Sequence, residues 1–190
     1  MRKQHDQYFT PAGMVKHLSN VKEIDLCSKY ILEPFVGRGD LIPGIQEMFP
    51  SSEIRTNDLH PTEEFNPSNR LDASTKEYWD NIEFTSGVIT NPPFSLANKI
   101  IPLMVESKNV HGFVAALLRL SFLEPTLERC DWLHANPPDY LISLPRISFD
   151  GKGTDTVNTA WFVWLKKPKE FGNIIIIPKQ PRRKKNADIA

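Results

Sequence analysis

Cysteine is scarce: Cys27 and Cys130 are the only two in 190 residues, and they form no Cys-x-x-Cys pair. A disulfide scaffold and a thiolate metal site are both excluded, and reduced thiols in a cytoplasmic setting are the expectation. No apolar run approaches the roughly 20 residues of a membrane helix. Met1-Arg2-Lys3-Gln4-His5 leads into no apolar signal core, so neither membrane insertion nor export is expected. Excess charge is missing too, because 23 basic and 23 acidic side chains cancel. Contact with a polyanion would have to come from local positive charge. His5, His17, His60, His111 and His134 show no ligand pairing, so no metal is expected.

What is there suits one soluble domain. Apolar residues make up 40% of the chain, and no repeat or low-complexity tract divides it. The domain is expected over residues 1–178. Residues 179–190, with Lys179, Arg182, Arg183, Lys184 and Lys185, read as a flexible basic tail. Short apolar runs alternate with amphipathic stretches. Tyr30-Ile31-Leu32, Glu53 to Asp58, Gly87 to Thr90, Gly112 to Leu118, Leu141 to Leu144, Ala160 to Leu165 and Ile174 to Ile177 read as strands. Thr10 is expected to cap a helix from Pro11 to about Leu18, and Leu41 to Phe49 could form another. A third helix is expected after Ser95 as N-cap, with Pro102 kinking it or ending it early. A fourth is expected over Glu124 to His134, with Pro125 in its first turn. The alternation predicts an open α/β sheet with its ligand beyond the carboxyl ends of the strands.

Four local signals matter together, three of them at those ends. Glu33-Pro34-Phe35-Val36-Gly37-Arg38-Gly39-Asp40 follows a strand, and its two glycines let the backbone turn sharply against a ligand. The dehydrogenase fingerprint wants a third glycine where Ile42 stands. A carboxylate at Glu33 would repel a pyrophosphate and suits an ammonium or sulfonium ligand. Asp58, 25 residues further on, can accept both hydroxyl hydrogens of a ribose, or can form a turn before His60-Pro61. Asn91-Pro92-Pro93-Phe94 again closes a strand. The Asn91 amide oxygen and the Pro92 carbonyl are two rigidly held acceptors for an exocyclic NH₂, and Phe94 offers a face for a planar base. A second Asn-Pro-Pro, at Asn136, follows a helix and reads as its stop. The fourth signal is Tyr8-Phe9-Thr10-Pro11, either an ordinary helix start or part of a site. Gly151-Lys152-Gly153-Thr154 is no phosphate loop, since Arg146 stands where a glycine is required.

Together, and with Tyr8 to Pro11, Glu33 to Gly39 and Asp58 ahead of Asn91 to Phe94 in the chain, the signals resemble the S-adenosylmethionine-dependent DNA adenine N6-methyltransferases of the gamma class. The resemblance is tight from about residue 6 to 95 and looser to Trp164. It implies a Rossmann-like class I fold, with a mostly parallel sheet, one antiparallel late strand and helices on both faces. It implies S-adenosylmethionine as cofactor, held by Tyr8, Phe9, Thr10, Glu33, Pro34, Gly37, Gly39, Asp58, Leu59, Asp72, Ala73 and Asn91. Asn91, Pro92, Pro93 and Phe94 would be catalytic, acting on a flipped-out adenine in DNA, with no strong general base. Arg146, Phe149 and Lys152 are candidate substrate-loop residues. The chain has no room for a large target-recognition domain, so a specificity or restriction partner is one expectation. The same motif also serves methylation of RNA amines and protein glutamine amides. A catalytically idle binding subunit is the alternative from another class.

Overall fold

The computed structural model describes residues 10–124, 126, 129–145, 158–167 and 173–176. Its centre is a seven-stranded sheet in the order β2-β1-β3-β4-β6-β5-β7. The strands are β1 (Tyr30–Glu33), β2 (Glu53–Thr56), β3 (Thr85–Thr90), β4 (Val110–Arg119), β5 (Tyr140–Ser143), β6 (Thr159–Leu165) and β7 (Asn173–Ile176). Neighbours pair in parallel except at β6, which runs antiparallel to both β4 and β5. The helices are α1 (Ile42–Met48), α2 (Lys76–Asn81), α3 (Ala97–Glu106) and α4 (Cys130–Ala135).

Period-two alternation divides the core between the two faces of the sheet. Ile31, Phe113, Ala115, Leu117, Trp161 and Val163 face the side covered by α1 and the 3-10 helix Ala12–Asn20. Leu32, Val114, Ala116, Leu118, Phe162 and Trp164 face the side of α2, α3 and α4. Strands β4 and β6 are wrapped on both faces, which explains their continuous apolar runs. The buried indoles satisfy their single donors: Trp161 bonds the Met14 carbonyl at 2.9 Å and Trp164 the Asn136 carbonyl at 3.0 Å. Asn136 closes α4, as its Asn-Pro-Pro sequence suggested. No helix among the described residues is long and apolar enough to cross a membrane.

Four local expectations need correction. Thr10 is not an N-cap: Pro11 holds that position without a side-chain bond, and the segment is a 3-10 helix. Ser95 does not cap α3 either. The chain leaving Pro93 first makes a 3-10 turn, Phe94–Leu96, so Leu96 precedes the helix. Pro102 does not end α3, which runs on to Glu106. Interior proline costs about 3 kcal/mol, but Ala97, Ile100, Ile101 and Met104 are all buried against the sheet. Four buried side chains outweigh that cost. The helix expected from Glu124 is shorter, because a 3-10 turn, Leu120–Leu123, continues β4 and α4 begins only at Cys130. Pro125 lies outside the described residues. Helix α2 carries no strong apolar period; Thr75 caps it by accepting from the Tyr78 amide.

Candidate active site

Strand β1 sits between β2 and β3, so the chain changes direction across the sheet there, the place where ligands bind at the carboxyl ends of such sheets. Glu33 is the last residue of β1 and is 1% exposed. Its Oε1 accepts from the Thr90 hydroxyl at 2.6 Å and the Phe35 amide at 3.1 Å. Burial pushes its pKa from 4.5 up to about 8; the two hydrogen bonds oppose the rise and the Asp58 charge adds to it. A buried acid at a strand end is costly for the fold and useful to a cationic ligand. Nearby, burial and then the Glu33 charge push the Tyr78 phenol upward.

The glycine loop follows. Gly37 has φ 53° and Gly39 φ 80°, conformations that favour glycine. A Cβ on Gly39 would come within 2.3 Å of the Phe65 ring, so the loop between β2 and α2 packs directly on the glycine turn. Asp58 joins these two loops. One carboxylate oxygen accepts from the Gly37 amide and the other from the His60 amide, each at 2.8 Å. The His60 bond is the turn role, and the Gly37 bond ties that turn to the glycine loop.

Asn57, absent from the sequence reading, is the clasp beneath. It is 1% exposed. Its Nδ2 donates to the Pro34 and Leu71 carbonyls at 3.1 and 2.9 Å, and its Oδ1 accepts from the Leu71 amide at 2.9 Å. It ties the glycine loop to the segment carrying Asp72 and Ala73. Hydrogen bonds from Ser74 hold the Asp72 carboxyl below its ordinary range. Ala73 is buried and its carbonyl accepts from the Trp79 indole at 2.9 Å. Leu59 is exposed. The one signal for Asn57 was its place just ahead of Asp58 at a strand end.

Asn91 completes the group. Its Nδ2 donates to the Thr10 hydroxyl at 2.7 Å across 81 residues of sequence. Its Oδ1 is buried and has no hydrogen-bond partner among the described residues. A buried acceptor left open is expensive unless a ligand donor fills it. Pro92 is buried, while Pro93 and Phe94 are half-buried. Thus Thr10, Glu33, Pro34, Gly37, Gly39, Asp58, Asp72, Ala73 and Asn91 gather along one edge. Tyr8, Phe9, Arg146, Phe149, Lys152 and the basic tail lie outside the described residues.

No family model matches the sequence, and no curated protein matches it. Solved structures do. A protein described as a modification subunit of a type I restriction enzyme from Vibrio vulnificus superposes with a TM-score of 0.66 at 13% identity, over 94% of this chain and 48% of its own. A type I restriction-modification methyltransferase subunit from Streptococcus thermophilus gives 0.62 at 16% identity, over 89% and 46%. One described as a class I S-adenosylmethionine-dependent methyltransferase from Listeria monocytogenes gives 0.64 at 12% identity, over 92% and 67%. The chain has the class I methyltransferase fold. It spans about half the length of the two restriction-modification subunits it resembles.

Proposed function

We propose that this chain transfers a methyl group from S-adenosylmethionine to the N6 amine of adenine in DNA. The observation that carries the reading is the Asn91 amide oxygen, buried beside Pro92 and Phe94 with no hydrogen-bond partner among the described residues. The residues present fit the cofactor on the same ground. Gly37, at positive φ, leaves open space where a Cβ would stand, and a buried carboxyl at Glu33 suits its cationic end. Glu33, Pro34, Gly37 and Gly39 would hold the methionine portion. Asp58 and Leu59 would meet the ribose, and Asp72 and Ala73 the adenine ring, with Thr10 holding Asn91. When bound, S-adenosylmethionine supplies an electrophilic methyl group.

The chain's own residues then do the orienting. Asn91 Oδ1 accepts one hydrogen of the target amine, and the Pro92 carbonyl accepts the other. Drawing both hydrogens out of the ring plane turns the nitrogen lone pair toward the methyl. Phe94 supports the base by stacking. Thr10 fixes the amide so that its oxygen, and not its NH₂, faces the amine. Extruding a paired base costs a few kcal/mol, which these contacts must offset. Positioning supplies the rate, and no side chain is assigned as a base. The restriction-modification neighbours support a DNA substrate, and their description as subunits supports a separate specificity or restriction partner.

The test incubates purified protein and S-adenosylmethionine with unmethylated DNA, RNA and protein pools, then digests each for mass spectrometry. N6-methyladenine in DNA, lost in Asn91→Ala while cofactor affinity stays within about tenfold (~1.4 kcal/mol), is the expected result. Methyl found only in RNA or protein keeps the mechanism and moves the substrate. Cofactor binding without transfer, unchanged by Asn91→Ala, identifies a catalytically idle subunit.

A further inference from the structure

Strand β4 ends in a cation that the proposed reaction leaves unused. The guanidinium carbon of Arg119 lies 4.8 Å from the centroid of the Phe94 ring, within cation–π range. Around this pair is a pocket of about 180 Å³ lined by Phe94, Ser95, Asn98, Arg119, Ser121 and Arg129 among others. Arg119 Nε is buried with no hydrogen-bond partner among the described residues. Among the described residues, Arg129 is pinned by neutral acceptors. Its Nη1 donates to Asn98 Oδ1 at 2.8 Å, its Nη2 to the Ser121 carbonyl at 2.8 Å and its Nε to the Glu124 carbonyl at 3.1 Å. Among the described residues, neither guanidinium shares an ion pair with a carboxylate, whereas Arg38, Arg55 and Lys76 all do.

Two arginines with no carboxylate partner among the described residues line one pocket, and they are the local positive charge that a neutral chain needs to hold a polyanion. A guanidinium fork matches phosphate oxygens in pairs. A buried donor with no partner is a further pointer to an absent acceptor. Phe94 belongs both to this pocket and to the motif that would hold the target base. We propose that Arg119, with Arg129 behind it, grips the phosphodiester next to the nucleotide presented to Asn91-Pro92-Pro93-Phe94. This rests on the nucleic-acid reading of the acceptor and adds a phosphate-positioning residue to it. The rigid Arg129 frame would hold the pocket open, while Arg119 exchanges its aromatic contact for phosphate oxygens.

The test is fluorescence anisotropy of a labelled mixed-sequence DNA duplex across about 50 to 200 mM salt, for wild type, Arg119→Gln and Arg119→Lys. Losing one phosphate contact should reduce the slope of log affinity against log salt by about 0.9 in Arg119→Gln. Affinity should fall about tenfold, with S-adenosylmethionine affinity and melting temperature unchanged. Arg119→Lys keeps the charge and loses the fork, so its slope should stay and its affinity fall only a few-fold. If Arg119→Gln does not fold, a wild-type affinity in Arg119→Lys overturns the proposal. An unchanged slope in a folded Arg119→Gln also overturns it. If the slope drops but wild type methylates no nucleic acid, the methyltransfer reading fails and the Arg119 site stands. If wild type methylates DNA adenine and the slope is unmoved, the site fails and the reaction stands.

Discussion

Replacing Glu33 by glutamine should stabilise the ligand-free protein and make the gain depend on pH. The side chain is 1% exposed, and burial raises its carboxyl from 4.5 to about 8 in the fold. For a group raised on folding, the proton's stabilisation is fully present below the unfolded pKa. It declines as pH climbs and is lost by the folded pKa. Between about pH 4.5 and 8, each pH unit therefore costs wild type about 1.4 kcal/mol, up to roughly 5 kcal/mol in all. Glutamine keeps an Oε1 acceptor for Thr90 and Phe35 and does not titrate. The variant's advantage should be under about 1 kcal/mol near pH 5 and several kcal/mol at pH 8. Urea unfolding of both proteins without ligand, at whole pH units from 5 to 8, measures the gap directly. A gap that does not change with pH would refute the reasoning. Saturating S-adenosylmethionine should then stabilise wild type more than the variant, because only wild type can offer a carboxylate to the cation.

Three further outcomes follow from the same edge. Asn57→Ala removes three side-chain hydrogen bonds of a buried residue; the expected loss is about 3 kcal/mol, or roughly 6–12 °C by calorimetry. Thr10→Val removes the acceptor for Asn91 Nδ2; single-turnover methyl transfer should slow about fivefold and recover in Thr10→Ser. Asp58→Ala frees the Gly37 amide and removes the expected ribose acceptor, so titration calorimetry should show weaker cofactor binding before any change in the chemical step.

Local pattern was enough for much of the chain. The apolar runs in β1, β3, β4 and β6 are strands because burial on two sheet faces demands continuous apolar residues. The two Asn-Pro-Pro copies were distinguishable because one follows a strand and the other a helix. Where local and tertiary demands diverged, local rules misread the helix ends. Thr10 turned away from its cap toward Asn91, and α3 continued through Pro102 because its apolar face is buried. Helix α2 gave little signal, since only Tyr78 and Trp79 of its six residues are buried.

By itself, the sequence determined which residues stand at the strand ends, since apolar run length and the Gly and Pro breaks are local properties. The tertiary structure alone decided what those ends touch. Asn57 bridges the glycine loop and the Leu71 segment, Asp58 caps the glycine turn, Asn91 reaches Thr10, and Arg119 lies on Phe94. Each of these partners is brought near by parallel crossover and sheet order, and no spacing rule along the chain encodes such a contact.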